Sequence, residues 1–227
     1  MKKVLLILCV FIYSFFNPQY CGAQYTDLID FTGDTGSWIG HYSPGSLTLS
    51  GDTLYGMTQG GGINRYGNIF SVQINGTNYK DLVDFTNTSG SYIGAVPYGS
   101  LILSGDTLYG MTQSGGVYGD GNIFSVQTNG TNFKDLIDFT GNSGSYVGKS
   151  PEGSLVLSGD TLYGMTYLGG AYLAGNIFSV QTNGTNFKDL IDFTGSTGSY
   201  LGTIPHGSLT LSGDTLYGMT LNGGVSI

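Results

Sequence analysis

The sequence predicts an all-β protein, a β-propeller-like array of four-stranded blades. Three observations carry this. The chain repeats itself every 54 residues without insertion or deletion, so that Phe31, Phe85, Phe139 and Phe193 are equivalent, as are Met57, Met111, Met165 and Met219. Each period holds four short runs rich in Leu, Ile, Val, Phe, Tyr and Thr, each bounded by Gly, Asn or Asp. No window shows the 3.6-residue apolar spacing of a helix between capping residues. A period of this length marks a stacked or circular array of supersecondary units, and four antiparallel strands per unit describe a propeller blade.

In the third copy the strands are a (Ser154 to Leu157), b (Thr161 to Thr166), c (Asn176 to Thr182) and d (Asn186 to Thr194). Strands a and b are joined by Ser-Gly-Asp, a tight turn with Gly available for a left-handed position. Strands c and d are joined by Asn-Gly at Asn75, Asn129 and Asn183, which predicts a two-residue hairpin with φ > 0 at both positions. These asparagines, with Asn87, also match the glycosylation sequon, but for the first three the turn already accounts for them. Gly56, Gly110, Gly164 and Gly218 interrupt strand b, and are expected where backbones crowd near the axis. Lys134 and Asp138, with their equivalents, place charge on the outermost strand and guard its edge against pairing. A β-solenoid is the rival architecture, but it would not need an Asn-Gly hairpin in every unit.

The segment Leu-Tyr-Gly-Met-Thr-x-x-Gly-Gly, followed by Gly-Asn-Ile-Phe-Ser-Val, resembles a kelch blade, in which a Gly pair follows strand b. It resembles more closely the tandem GloVer (Gloeo/Verruco) repeat of secreted, surface-anchored bacterial proteins, over nearly all of residues 25 to 227. The resemblance implies export, a propeller-like fold and a variable C-terminal anchor, and it brings no catalytic motif. Against that pattern the chain is expected to depart from the family in having few repeats and no anchor.

Residues 1–23 read as a signal peptide: Lys2 and Lys3, an apolar run from Val4 to Phe16, and small residues at Gly22-Ala23. The run is shorter than the roughly 20 residues of a membrane span. A lipid-modified Cys21 is disfavoured by Pro18, Gln19 and Tyr20 before it. Residues 24–227 then form the repeat domain, exported to the extracellular space or cell surface, with no membrane span after cleavage. Cleavage would remove both cysteines, Cys9 and Cys21, and with them thiol catalysis and Cys-type metal sites. The domain opens in a d strand (Tyr25 to Thr32) and ends after strands a and b, one strand short of four blades. That count leads us to expect a blade array incomplete at its C-terminus, by continuation of the chain, a gapped ring, or completion by a second chain with self-association.

Composition narrows the function classes. With 40 Gly, 17 Tyr and 12 Phe, and only 10% of residues charged, the chain is neither disordered nor collagen-like. Its 15 acidic and 7 basic side chains leave little with which to neutralise phosphates, so nucleic acid is not an expected partner. No Gly-x-Ser-x-Gly, zinc, calcium-loop or Walker pattern occurs, and no cofactor is implied. His41 and His206 occupy different repeat positions, which argues against a paired metal site. The Asp pairs such as Asp135 and Asp138 recur in every unit and read as structural, and Glu152, the chain's one Glu, stands alone.

Propeller connectivity sets the a–b and c–d turns on one face and the b–c and d–a loops on the other. The latter differ between copies, and variable loops on a rigid scaffold are where binding is found. Tyr66, Tyr118, Tyr167 and Tyr172, with Arg65, are read as outside the repeat pattern and are the candidate ligand-binding residues, with aromatic faces suited to a glycan. Trp38, Tyr92, Tyr146 and Tyr200 share one repeat position and are expected to pack between blades. A non-catalytic binding propeller for an extracellular glycan or protein is the leading expectation. A structural or adhesive repeat protein comes next, and a propeller hydrolase or lyase last.

Overall fold

In a computed structural model of the chain, residues 25–224 are described, and among them every regular element is a strand. The signal peptide expected over residues 1–23 lies outside this span. The first blade is β1 (Thr48–Ser50), β2 (Thr53–Thr58), β3 (Asn68–Gln73) and β4 (Lys80–Asp84). The second is β5 (Ala95–Ser104), β6 (Thr107–Ser114), β7 (Asn122–Gln127) and β8 (Lys134–Asp138). The third splits its first strand into β9 (Lys149–Pro151) and β10 (Val156–Ser158), followed by β11 (Thr161–Leu168), β12 (Asn176–Gln181) and β13 (Lys188–Asp192). In each blade successive strands pair antiparallel, with β9 joining β11 alongside β10, giving the four-stranded meander of a propeller blade.

The last repeat contributes β14 (Thr203–Pro205), β15 (Thr210–Ser212), β16 (Thr215–Tyr217) and β17 (Thr220–Asn222), in two separate pairs. Its b strand breaks at Gly218-Met219, where the other copies run straight through opposite a c strand. The predicted d strand over Tyr25 to Thr32 forms no ladder among the described residues, since a d strand needs a preceding c strand to pair with. It lies extended, with Ile29 buried and Phe31 packed on the first blade.

Strands b and c are buried on both faces along nearly their whole length, and their apolar residues build one core per seam. Leu108, Met111, Ile123, Phe124 and Val126 are almost fully buried. Between the first and second blades Phe85, Tyr92, Phe124 and Phe133 form an aromatic group, with Phe124 stacked on Phe133 at 5.7 Å and Tyr92 edge-on to Phe133 at 5.4 Å. Phe139, Tyr146, Phe178 and Phe187 repeat it at the next seam. Tyr92 and Tyr146 therefore pack between blades and Trp38 packs on the first, as their shared repeat position suggested, whereas Tyr200 in the last repeat is 51% exposed. Centroid spacings of this order suit edge-on and offset aromatic pairs.

Two local expectations change. The c–d connection is no two-residue hairpin: β3 ends at Gln73 and β4 begins at Lys80. Asn75 instead accepts the Thr77 N–H on its side-chain oxygen at 3.0 Å, an Asx turn, and the left-handed positions fall at Gly76 and Asn78. The strand-b glycines also do not mark the axis. Gly110 is paired across the ladder with Phe124, whose ring tip lies 2.5 Å from where a Cβ would stand. The ring occupies the space a side chain would need.

Close blade approach occurs one strand earlier, in the Gly-Ser pair of strand a. A Cβ on Gly99 would stand 1.9 Å from the Gly153 carbonyl oxygen, and one on Gly153 would stand 1.9 Å from that of Gly207. Beside them Ser46 N–H donates to Ser100 Oγ at 2.8 Å, Ser100 N–H to Ser154 Oγ at 2.8 Å, and Ser154 N–H to Ser208 Oγ at 2.9 Å. This stack links the inner edges of all four repeats and serves as the axis of the array.

Candidate functional site

The b–c loops differ in sequence but share one conformation. Gly67 N–H bonds to Gly61 O at 3.1 Å, Gly121 to Gly115 at 3.0 Å and Gly175 to Gly169 at 3.1 Å. A carboxylate of strand d holds each loop. Asp84 Oδ1 accepts the Ile63 N–H at 3.1 Å, Asp138 Oδ1 that of Val117 at 2.8 Å, and Asp192 Oδ1 that of Ala171 at 3.2 Å. The Gly pair is required here: a Cβ on Gly116 would stand 2.4 Å from Asp138 Oδ1.

The second Asp of each pair-containing strand reaches this position through a bulge. Ile123 pairs with Ile137 and Phe124 with Asp135, so Leu136 is the extra residue. Residues three apart on a regular strand point to opposite faces, and the bulge turns Asp135 and Asp138 to the same one. Behind them Thr112 Oγ1 donates to Asn122 Oδ1, and Asn122 Nδ2 donates to Asp135 Oδ1 at 2.9 Å and to Ile93 O at 2.9 Å. Burial, together with the neighbouring carboxylate and opposed by the Asn122 amide, pushes Asp135 up to about 7. Burial likewise raises Asp81 to about 7, and Asp189 is raised to about 6 by burial and then by Asp192. In the first two blades these carboxylates are therefore internal struts, whereas Asp189 in the third is exposed; Asp138 does not serve the strand edge where the sequence placed it, and within β8 Lys134 alone is exposed.

The next blade fixes each loop from its other side. Val96 N–H donates to Tyr66 O at 2.9 Å, Ser150 to Asp120 O at 2.9 Å, and Ile204 to Ala174 O at 3.0 Å. All three donors adopt φ between +51° and +59°, although Val and Ile are β-branched and a proline follows each. The conformation aims the N–H at the preceding blade while Pro97, Pro151 or Pro205 covers the loop glycine.

On this frame the predicted site residues fall into three kinds. Tyr118 and Tyr172 stand at the loop tips, each 63% exposed. They are one repeat position a blade apart, with Asn64 as the third member, and so do not lie outside the repeat as expected. Tyr66, 38% exposed, and Arg65 belong to the first loop, where Arg65 Nε pairs with Asp34 at 2.8 Å. Tyr167 is not a loop residue: strand b runs on to Leu168 in the third blade, and Tyr167 sits half-buried within β11. Four of the five thus spread over three separate loops, and Tyr167 lies on a strand. A cleft of about 460 Å³ lies elsewhere, on the turn face between the first two blades, lined by residues such as Tyr55, Gln73, Lys80 and Asn129.

The sequence reading passed over one further group. Apart from the charges that recur in each copy, three acids remain, Asp34, Asp120 and Glu152, and all three meet a base that likewise does not recur. Besides Asp34 with Arg65, Lys149 Nζ lies 3.0 Å from Asp120, and His206 Nε2 lies 3.8 Å from Glu152 Oε2. Subtracting the repeat from the sequence would have isolated them. Among the described residues no cluster of three or more His, Cys, Asp or Glu side chains is arranged to hold a metal ion.

Successive four-stranded meanders, joined at their inner edges and carrying fixed loops on one face, define a β-propeller-like tandem-repeat protein. The chain belongs to the Gloeobacter/Verrucomicrobia repeat family, whose model matches residues 92–227. No curated protein matches it. Among solved structures it is similar to a chain of a nidogen/laminin complex, with 15% identity, TM-score 0.44, and coverage of 74% of this chain and 68% of that one. It is also similar to a putative TolB from Agrobacterium tumefaciens, with 18% identity, TM-score 0.42, and coverage of 71% and 51%. A puromycin-hydrolysing peptidase of Mycobacterium tuberculosis matches with 15% identity and TM-score 0.41, over 62% of this chain and 19% of that one. The chain thus spans about half the length of the second and a fifth of the third.

Proposed function

We propose that this is an exported, non-catalytic binding propeller that presents its b–c loop side chains to an extracellular glycan or protein. The observation that supports this reading is the contrast between frame and tips. Each loop is tied by its own Gly–Gly bond, by an Asp from strand d and by the next blade, so the variable side chains project from fixed backbones. Exposed tyrosines held this way lose little conformational freedom on binding. A glycan suits them, since a pyranose offers apolar C–H faces to the ring and hydroxyls to its rim.

The test is a glycan array probed with the intact chain and with a Tyr118→Ala/Tyr172→Ala variant. Because both rings are mostly in solvent, the double variant should keep the wild-type melting temperature while its array signal is lost. Unchanged binding by that variant would rule out this face.

A second reading, a structural or adhesive role, draws on the last repeat. Tyr217 and Met219 are 58% and 77% exposed, whereas their equivalents Tyr109 and Met111 are buried. Such an apolar face favours self-association. Light scattering over a hundredfold concentration range would show growing mass on this reading, and a constant monomer mass would exclude it.

A further inference from the structure

We propose that Gln113, Glu152 and His206 form a hydroxyl-binding site at the b–c end of the axial Gly-Ser stack, built for a polyhydroxylated ligand such as a pyranose. It is separate from the loop tyrosines and stands or falls independently of them.

The first argument is positional. The residue immediately before each Gly-Ser pair reads Pro44, Tyr98, Glu152 and His206, while the Gly-Ser pair itself never changes. The fold accepts proline and tyrosine at this position, so it does not require a carboxylate there. Yet Glu152 is only 8% exposed. Burying an ionisable group is costly unless its bonds are satisfied, and nothing in blade packing calls for it.

The second argument is geometric. Gln113, at the end of β6, crosses the seam to donate from Nε2 to Glu152 Oε1 at 2.5 Å, which fixes the carboxylate plane. The other oxygen, Oε2, faces His206 Nε2 at 3.8 Å, too far for a direct hydrogen bond. A hydroxyl lying between and beside them is within reach of both. It donates to Oε2, which can only accept, and accepts from Nε2–H. An ammonium group has no lone pair with which to complete this bridge. The His206 ring is about half exposed, so the gap opens to solvent on that side. In the third blade Tyr167 occupies the repeat position that Gln113 holds in the second.

The experiment is NMR on the full chain, following His206 Hε1 and the Gln113 side-chain amide during titration with D-glucose, D-galactose and D-mannose. Tetrahydropyran, the same ring without hydroxyls, is the control. Saturable shifts at both groups with at least one hexose, and none with tetrahydropyran, are the expected result. The affinity read from these shifts should weaken at least about tenfold in Glu152→Gln and, followed at the Gln113 amide alone, in His206→Ala, in line with loss of one charge-assisted hydrogen bond. They should persist in Tyr118→Ala. His206 is exposed enough that its variant will fold even if the Glu152 variant does not. No shift with any of the three hexoses at about 100 mM, the millimolar range of weak sites, would overturn the proposal. So would equal shifts with tetrahydropyran, or shifts that survive both substitutions.

Discussion

Asp138 Oδ1 accepts the backbone N–H of Val117 at 2.8 Å, and through this one bond the outermost strand of the second blade sets the shape of a loop 21 residues earlier. The same bond recurs at Asp84 with Ile63 and at Asp192 with Ala171. Loops of different sequence therefore hold one backbone form.

Replacing Asp138 with Ala should free the second b–c loop without unfolding the array. The lost carboxylate bond and the stranded Val117 N–H are expected to cost about 1–3 kcal/mol. Hydrogen exchange should accelerate over residues 113–121 and stay unchanged in the third blade. Uniform acceleration throughout would show that the contact is global rather than local.

The Asp pairs set the pH dependence of stability. Asp81 and Asp135 lie near 7 and Asp189 near 6 in the folded chain, all above the usual carboxylate value. The folded state thus binds these protons more tightly than the unfolded state does. The stability they contribute is fully present below about pH 4, the ordinary carboxylate range, and declines as pH rises through 6 to 7. Thermal midpoints should therefore fall from pH 5 to pH 8. Asn in place of Asp135, a neutral mimic of the protonated acid, should flatten part of that slope.

At the axis, Gly153→Ala places a methyl group 1.9 Å from the Gly207 carbonyl, and backbone on both sides leaves no room to yield. Gly159 also has a positive φ, but a Cβ there meets nothing within 4 Å. Gly159→Ala should cost about 1 kcal/mol from its dihedral alone. The Gly153 change should cost several times more, read as the difference in denaturant midpoint. Similar losses at both sites would mean that the stack does not carry the blade contact.

Phe124 is fully buried among Phe85, Phe133 and Gly110. Truncation to Ala removes the centre of one aromatic group and the ring that covers the strand-b glycine. A loss of about 3–5 kcal/mol is expected in equilibrium unfolding. Leu at the same position should lose less, since it refills part of the volume.

Much of the blade was legible in the sequence because its causes are local. Short runs rich in apolar and aromatic residues, bounded by Gly, Asn or Asp, placed strands b and c to within a residue or two, and Ser-Gly-Asp marked the a–b turn. The shared position of Tyr92 and Tyr146 marked packing between blades. The readings that failed depended on partners far along the chain. Gly110 was assigned to the axis because the ring of Phe124 cannot be seen from strand b alone. Asp138 was assigned to the edge because only a bulge at Leu136 turns it inward. Tyr167 was placed in a loop because the Gly pair looked like the end of strand b, which in the third blade continues to Leu168.

The sequence by itself determined the 54-residue period, the four strands of each unit and the face that carries variation, since these follow from self-similarity, strand-forming side chains and turn chemistry within a few residues. Family membership was legible there too. Only the tertiary structure decided which glycines touch across blades, which carboxylates meet backbone N–H groups, and that Glu152 and His206 face each other. Those relationships join residues 21, 39 or 54 positions apart. No local preference encodes such distances. They arise only when blades stack and bring equivalent edges within hydrogen-bonding range.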